Sequence, residues 1–323
     1  MWQIVGHDWA VQLLQSGLSH GLMAQAYLLT GQSQIGKTTL ALEFAKALNC
    51  SSQSPPCGTC LACRKIDGHC HPDVQLVVSE GGTIKIDQIR EIRREAVLSP
   101  YEGAWRVYII GRAEQATDEA ANCLLKTLEE PPAHVVLILT APLADTLLPT
   151  IVSRCQVLNL RPVPTALIQR ALQERWGLEE APAALLARLA GGRIGWALNA
   201  GRDESHLRQR KQLLEAMVAA CRRGRVFRLD YAQRLSRQPE ALPEVLNLWL
   251  GWWRDLLLIK SGCQELIVNV DYRDTLRSEA DQHSLIRIKG YIRTIEQTIG
   301  QLKQNVNTRL ALETLLLQLP MPG

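Results

Sequence analysis

The chain predicts an α/β domain on a parallel sheet, followed by a wholly helical remainder. Three observations predict it. Gly31-Gln32-Ser33-Gln34-Ile35-Gly36-Lys37-Thr38 lies between an apolar run and a helical pattern, as a phosphate-binding loop should. Short β-branched runs alternate with helical stretches as far as residue 160, the pattern of a parallel sheet covered on both faces. From about Glu204 onward the periodicity is helical throughout.

Size and composition bound what this can be. The 323 residues exceed a single usual core, so two or three domains are expected. A hydrophobic share of 46% with 21% charged residues describes an ordinary globular protein rather than a disordered one. The net charge of +4 is too mild to announce a nucleic-acid binder by itself, though it permits a local basic patch. Met1-Trp2-Gln3-Ile4-Val5-Gly6-His7-Asp8 turns polar at once, unlike a secretory signal, so a cytoplasmic location is expected. Val245 to Ile259 is the most apolar window. It is too short to span a bilayer and is broken by Asn247, Arg254 and Asp255. Trp249, Trp252, Trp253, Leu256 and Leu257 sit there at helical spacings and predict a packed helix, with no membrane role.

The first element is an amphipathic helix within residues 4–22, with Val11, Leu13, Leu14 and Leu18 apolar and Gly17, His20 and Gly21 marking its end. No ligand role is assigned to His7 or His20. Ala26-Tyr27-Leu28-Leu29 then reads as a strand, and Thr38 to Leu48 as a helix with Leu40, Ala41, Phe44, Ala45 and Leu48 on one face. Between them, Gly31 and Gly36 let backbone N–H groups turn inward toward phosphate. Lys37 can reach the terminal phosphates and Thr38 can offer its hydroxyl to magnesium. Thr39 completes the candidate nucleotide set at the helix N-terminus. Binding and hydrolysis are separate questions.

Nine cysteines are present, and Cys50, Cys57, Cys60 and Cys63 crowd into one Ser/Pro/Gly-rich stretch. Tight C-x2-C turns place two thiolates on one tetrahedral centre, and four thiolates describe a closed structural zinc site. An iron–sulfur cluster competes, but Arg64-Lys65-Ile66-Asp67 stands where the bacterial ferredoxin run wants a further cysteine and proline. Cys70, between His69 and His71, is a substitute ligand that the simplest assignment leaves out. Cys123, Cys155, Cys221 and Cys263 are scattered and read as small apolar residues.

His71-Pro72-Asp73 leads into a strand at Val74-Gln75-Leu76-Val77-Val78 and a Gly81-Gly82 turn. A helix follows, with Ile84, Ile86, Ile89 and Ile92 inward and Arg90, Arg93 and Arg94 elsewhere. That basic cluster is either a solvated face or a contact for phosphate backbone. Arg106-Val107-Tyr108-Ile109-Ile110 is the next strand. A hydrolysing P-loop enzyme places an acid at this strand tip for magnesium, and one large class adds a second for the attacking water. Here Gly111 and Arg112 occupy those places, and a cation cannot take a proton from water. Glu114 would serve as a metal ligand only if the strand ended later. Thr117 opens a helix with Ala120, Ala121, Leu124, Leu125 and Leu128 on one face, stopped by Pro131-Pro132. Val135 to Thr140 and Gln156 to Leu160 are further strands.

The cysteine cluster after the loop helix, His71-Pro72-Asp73, the run Leu124-Leu125-Lys126-Thr127-Leu128-Glu129-Glu130-Pro131-Pro132 and Ser153-Arg154-Cys155 together resemble bacterial clamp-loader subunits of the AAA+ class. The resemblance spans nearly the whole chain. It implies a RecA-like AAA+ P-loop domain at 1–162 carrying the four-cysteine zinc module at 50–63, a small helical lid at 163–202 and a helical collar at 203–323. Arg161-Pro162-Val163-Pro164 supplies a plausible first boundary.

Two branches of the family compete, the ATP-hydrolysing gamma/tau branch and the non-hydrolysing delta-prime branch. Gly111 and Arg112 favour the second. So does Gly195, which aligns where the ATPase members carry a nucleotide-sensing lid arginine, although a shift of two positions would bring Arg193 there. The resemblance thus implies a subunit of the DNA-directed DNA polymerase III complex with no ATPase activity of its own. It would hold ATP or ADP with magnesium unhydrolysed and help load the sliding clamp onto primed DNA. Its neighbours in a hetero-pentamer would be gamma/tau-type ATPase and delta-type subunits. Arg154 would be an arginine finger, entering the adjacent ATPase site in trans; a pairing with a neighbouring carboxylate is the ordinary alternative. A zinc-bearing nucleic-acid-binding module is the rival of another class.

In the remainder, 165–200 predicts two or three short helices. Leu207–Cys221, Leu242–Ile259, Ser284–Gln301 and Asn307–Leu319 predict longer ones. Asp271 to Asp281 is charge-rich and reads as a connection. The leucines at 310, 312, 315, 316 and 319 predict a bundle core or a subunit contact, and Asn305-Val306-Asn307-Thr308-Arg309-Leu310 resembles the family's collar segment.

Overall fold

Strands β1 (Ala26–Thr30), β2 (Val74–Val77), β3 (Arg106–Ile110), β4 (Val135–Ala141) and β5 (Gln156–Asn159) form one parallel sheet in the order β2-β3-β4-β1-β5. This computed structural model describes residues 2–79, 81–203, 205–302, 304 and 306–321. They group into two compact units, Met1–Trp176 with Gly192–Trp196, and Gly177–Gly191 with Ala197–Gly323.

The sheet belongs to the first unit. Every residue of β1, β3 and β4 is buried, which is why those runs are apolar without alternation. The edge strand β5 buries only Leu158. Tyr27, Leu29, Val107, Ile109, Val136 and Ile138 face α1 (Asp8–His20) and α2 (Lys37–Asn49), where Phe44 meets the edge of Tyr27 at 5.1 Å. On the other face, Leu28, Tyr108, Ile110, Leu137 and Leu139 pack on α4 (Ile86–Ala96) and α5 (Asp118–Glu129). Buried Ile89 and Ile92 contribute roughly 1.5–3 kcal/mol each to that layer. Short helices α3 (Leu61–Asp67) and α6 (Pro149–Val152) and the longer α7 (Thr165–Trp176) complete the unit. The thiol of Cys155 packs here and is pushed up to about 12 by burial.

Two boundaries differ from the sequence expectation. The first helix begins at Asp8, because His7 adopts a left-handed φ of 61° that no helix continues through. Ile84 lies outside α4; it is buried, but as an isolated parallel bridge to Ala116, and the Gln88 side chain accepts the Lys85 N–H at 3.0 Å to start the helix after it. The helix predicted after Thr117 starts as expected, with the Thr117 hydroxyl accepting from the Ala120 N–H at 3.2 Å.

The second unit holds α8 (Glu180–Leu189), most of α9 (Ile194–Arg202), α10 (Ser205–Arg222), α11 (Arg225–Ser236), α12 (Leu242–Lys260), α13 (Arg273–Gln282), α14 (Leu285–Leu302) and α15 (Thr308–Leu317). Trp249, Trp252 and Trp253 are buried with Leu312, Leu315 and Leu316 in one core, as the helical reading of that window expects. The expectation for 271–281 is corrected. It is helix α13, anchored by buried Leu276 and Ala280, which are too few among charged neighbours to give a visible stripe. Helix α11 escaped for the same reason. Its buried Arg228 donates to the carbonyl oxygens of Ala220 and Leu319, each at 2.9 Å, and of Cys221 at 3.2 Å, serving carbonyls that helix ends leave unpaired. Of the collar segment read at 305–310, Asn305 lies outside the described residues; Asn307 caps α15 by accepting the Leu310 N–H at 3.1 Å.

Candidate functional site

The loop leaves the carboxyl end of β1, between β4 and β5, where parallel sheets of this kind place ligands. Gly31 has φ 141°, and a Cβ there would stand 2.6 Å from the Leu160 carbonyl oxygen, so glycine is required. Gly36, with φ 113°, precedes α2 without any side-chain cap, which leaves the first N–H groups of that helix available to an anion. Thr38 and Thr39 are both exposed on the same turn. The Lys37 ammonium donates to the carbonyl oxygens of Gly31 at 2.6 Å and Gln32 at 2.9 Å. Burial lowers its pKa, Glu114 opposes that shift, and Arg112 adds to it.

Two residues distant in the sequence, His7 and Gly195, touch this loop. Nε2 of His7, a buried side chain, lies 3.2 Å from the Ile35 carbonyl oxygen; a carbonyl only accepts, so Nε2 carries the proton. Burial lowers the His7 pKa, against the opposing effects of the Ile35 hydrogen bond and Asp8. Gly195 donates its N–H to the Gln34 carbonyl oxygen at 2.8 Å, and a Cβ on Gly195 would stand 2.9 Å from that oxygen. The position aligned with a lid arginine is thus pressed backbone to backbone on the phosphate loop. Arg193 lies over the Trp196 ring, 5.8 Å from its centroid.

Strand β3 ends at Ile110, as predicted. Arg112 follows with a left-handed φ of 56°, and its N–H donates to the buried Thr140 hydroxyl at 3.0 Å. Nε of Arg112 lies 3.7 Å from Oε1 of Glu114, which sits in the short turn Ala113–Gln115. Glu114 is therefore not at the strand tip, yet its charge acts on Lys37. Its Oε2 is buried without a hydrogen-bond partner. Thr140, closing an apolar run, was the one signal in the sequence for the polar anchor beneath Arg112.

The four predicted cysteines converge: the Sγ atoms of Cys50, Cys57, Cys60 and Cys63 all lie within 4.8 Å of one another. Thiolates about 2.3 Å from a tetrahedral zinc stand about 3.8 Å apart, and Sγ of Cys50 and Cys60 are separated by 3.9 Å. The donor set fits a metal. N–H groups of Cys60 and Thr59 pull the Cys57 thiol down to about 5, whereas burial pushes Cys63 up to about 12. Cys70 stays outside the group, its Sγ on the Lys65 carbonyl oxygen at 3.5 Å. The module is tied to α2 by Lys46, buried between Glu43 at 2.5 Å and Asp67 at 2.9 Å. Asp73 is structural: its carboxylate accepts the N–H groups of Tyr101 at 2.6 Å and of Glu102 and Gly103 at 2.8 Å.

Arg154 follows α6 and is partly exposed. It donates to Glu129 at 2.7 Å and to the Thr150 carbonyl oxygen at 2.8 Å.

A phosphate loop at the switch point of a β2-β3-β4-β1-β5 parallel sheet, with a four-cysteine module after its first helix, defines a P-loop subunit of the AAA+ kind. Two family models match the chain, "DNA polymerase III, delta subunit" over residues 6–164 and "DNA polymerase III, delta subunit, C terminal" over 204–320. DNA polymerase III subunit delta' of Bacillus subtilis is 29% identical over 313 residues, 96% of this chain and 94% of that protein. DNA polymerase III subunit gamma of Buchnera aphidicola is 37% identical over 160 residues, 49% of this chain and 44% of the relative. A solved structure of a gamma subunit-related protein from Thermotoga maritima aligns over 94% of this chain and 97% of that one, at 19% identity and a TM-score of 0.41. The chain belongs to the DNA polymerase III delta family, as a clamp-loader subunit of the delta-prime type. No helix among the described residues is long and apolar enough to cross a membrane.

Proposed function

We propose that this subunit binds ATP or ADP at Gly31, Gly36, Lys37, Thr38 and Thr39 without hydrolysing it, and supplies Arg154 in trans to a neighbouring ATPase. The observation that carries this reading is the end of β3: Gly111 and Arg112 stand where a hydrolysing site needs carboxylates, and β3 ends no later than the sequence implies. Gly195 against Gln34 supports it, because no side chain reaches from that position toward phosphate. The four-cysteine module is a structural zinc site, supported by the sulfur spacing and, among the described residues, by a donor group made of cysteines alone. The partners are gamma/tau-type ATPase and delta-type subunits in a cytoplasmic hetero-pentamer that loads the sliding clamp on primed DNA. The domain division is 1–162, 163–202 and 203–323.

One observation favours an ATP-hydrolysing subunit instead: Glu114 acts on Lys37 and keeps a buried oxygen unpartnered. Turnover separates the two. The purified chain is expected to bind ATP, to lose binding in Lys37→Ala, and to show no hydrolysis with magnesium. Brisk hydrolysis that requires Glu114 would make it a motor.

A further inference from the structure

The strand tip does more than lack an acid; it puts a cation in its place. The Arg112 N–H is hydrogen-bonded to Thr140 at 3.0 Å, and Thr140 lies in register with Leu29 of β1, two residues before Gly31. The loop root is joined to the same strand end, the Gly31 N–H donating to the Pro142 carbonyl oxygen at 3.1 Å. The Arg112 backbone is thus anchored on Thr140 of β4, close in sequence to the Pro142 carbonyl that holds the loop root. Its left-handed backbone is unusual for a long side chain, and the protein keeps it directly after a glycine that would take such a conformation without strain. Glu114 stands beside its Nε at 3.7 Å, and among the described residues the Nη groups have no protein partner.

We infer that Arg112 makes nucleotide binding at this loop independent of magnesium, its guanidinium taking over the neutralisation of a nucleoside di- or triphosphate that a metal supplies elsewhere. The inference rests on the proposal that Gly31–Thr38 binds nucleotide. A guanidinium stays charged at all relevant pH and pairs with phosphate oxygens through two parallel N–H groups. Magnesium, by contrast, is held through one or two carboxylates plus phosphate, and the strand tip offers none. Glu114, paired with Arg112, is the acid whose charge acts on Lys37, and it orients the guanidinium rather than a metal.

The test is isothermal titration of the full chain with ATP, once with magnesium and once with excess EDTA. The expected dissociation constants agree within about threefold, and in EDTA Arg112→Gly weakens binding about tenfold or more while Arg112→Lys retains most of it. Glycine adopts the left-handed backbone freely, so Arg112→Gly is expected to keep its melting temperature. Binding only in magnesium, lost in Glu114→Gln, would overturn the inference and leave the nucleotide reading standing. Absence of binding in both buffers would overturn both.

Discussion

Nη2 of Arg154 donates to Oε1 of Glu129 at 2.7 Å. Glu129 is the last residue of α5, so the two most specific motifs of the chain, the Leu124–Pro132 run and Ser153-Arg154-Cys155, meet in one ion pair. The run thereby sets where the guanidinium rests. Nη1 donates to the Thr150 carbonyl oxygen at 2.8 Å, and the pair remains partly open to solvent.

Replacing Arg154 by alanine should leave the isolated chain almost unchanged, since an exposed pair contributes about 0–1 kcal/mol. In a loader reconstituted with gamma/tau-type ATPase subunits, the same change should slow ATP turnover at the site it faces by about a thousandfold or more, so that total hydrolysis falls by that site's share while the other sites keep turning over. Glu129→Gln, which loosens the resting pair only, should keep most of that turnover. Steady-state hydrolysis measures all three, and an unaltered rate with Arg154→Ala removes the trans role.

Gly195→Ala should weaken both fold and nucleotide binding. The added Cβ would stand 2.9 Å from a backbone oxygen of the phosphate loop, so one of the two segments must move. A cost of about 1–3 kcal/mol is expected from such overpacking. Denaturant unfolding and ATP titration check it; a variant indistinguishable from the parent in both would mean the contact is idle.

The cysteine module should carry equimolar zinc by elemental analysis, without the visible absorption of an iron–sulfur cluster. Cys60→Ser, or prolonged chelation, should lower the melting temperature, because metal binding free energy is folding free energy for such a module. If metal is absent from the purified chain and Cys60→Ser melts like the parent, the zinc assignment fails.

His7 should make stability depend on pH. Burial holds its folded-state pKa below the ordinary 6.5, so the unfolded chain takes up the proton more readily. Its contribution is present above pH 6.5 and is lost as pH falls from there through the folded-state value. His71 shifts in the same direction by burial, so the comparison is with His7→Asn, whose side chain tolerates the left-handed backbone. The variant should show a shallower loss of stability between about pH 6.5 and 5; an identical slope would exclude His7 as its source.

Much of the site was legible because its chemistry is local. A phosphate loop needs glycines where φ is positive and a lysine one residue past the second, all within a short run, and Gly31, Gly36 and Lys37 stand so. The cysteine spacing likewise closes on itself. Helices α11 and α13 were not legible, because residues such as Leu276 and Ala280 are too sparse for a stripe and are held by distant partners. His7 on the loop and Glu114 beside Lys37 are equally products of folding.

What the sequence alone determined is the succession of strands along the chain, the phosphate loop, the cysteine module and the missing acids after β3, each encoded by neighbours a few residues apart. What only the tertiary structure decided is which distant groups share the site: Gly195 on Gln34, Thr140 beneath Arg112, Glu129 under Arg154. Those pairings depend on how segments far apart in the chain are stacked and twisted together, and no local periodicity records a distance across a fold.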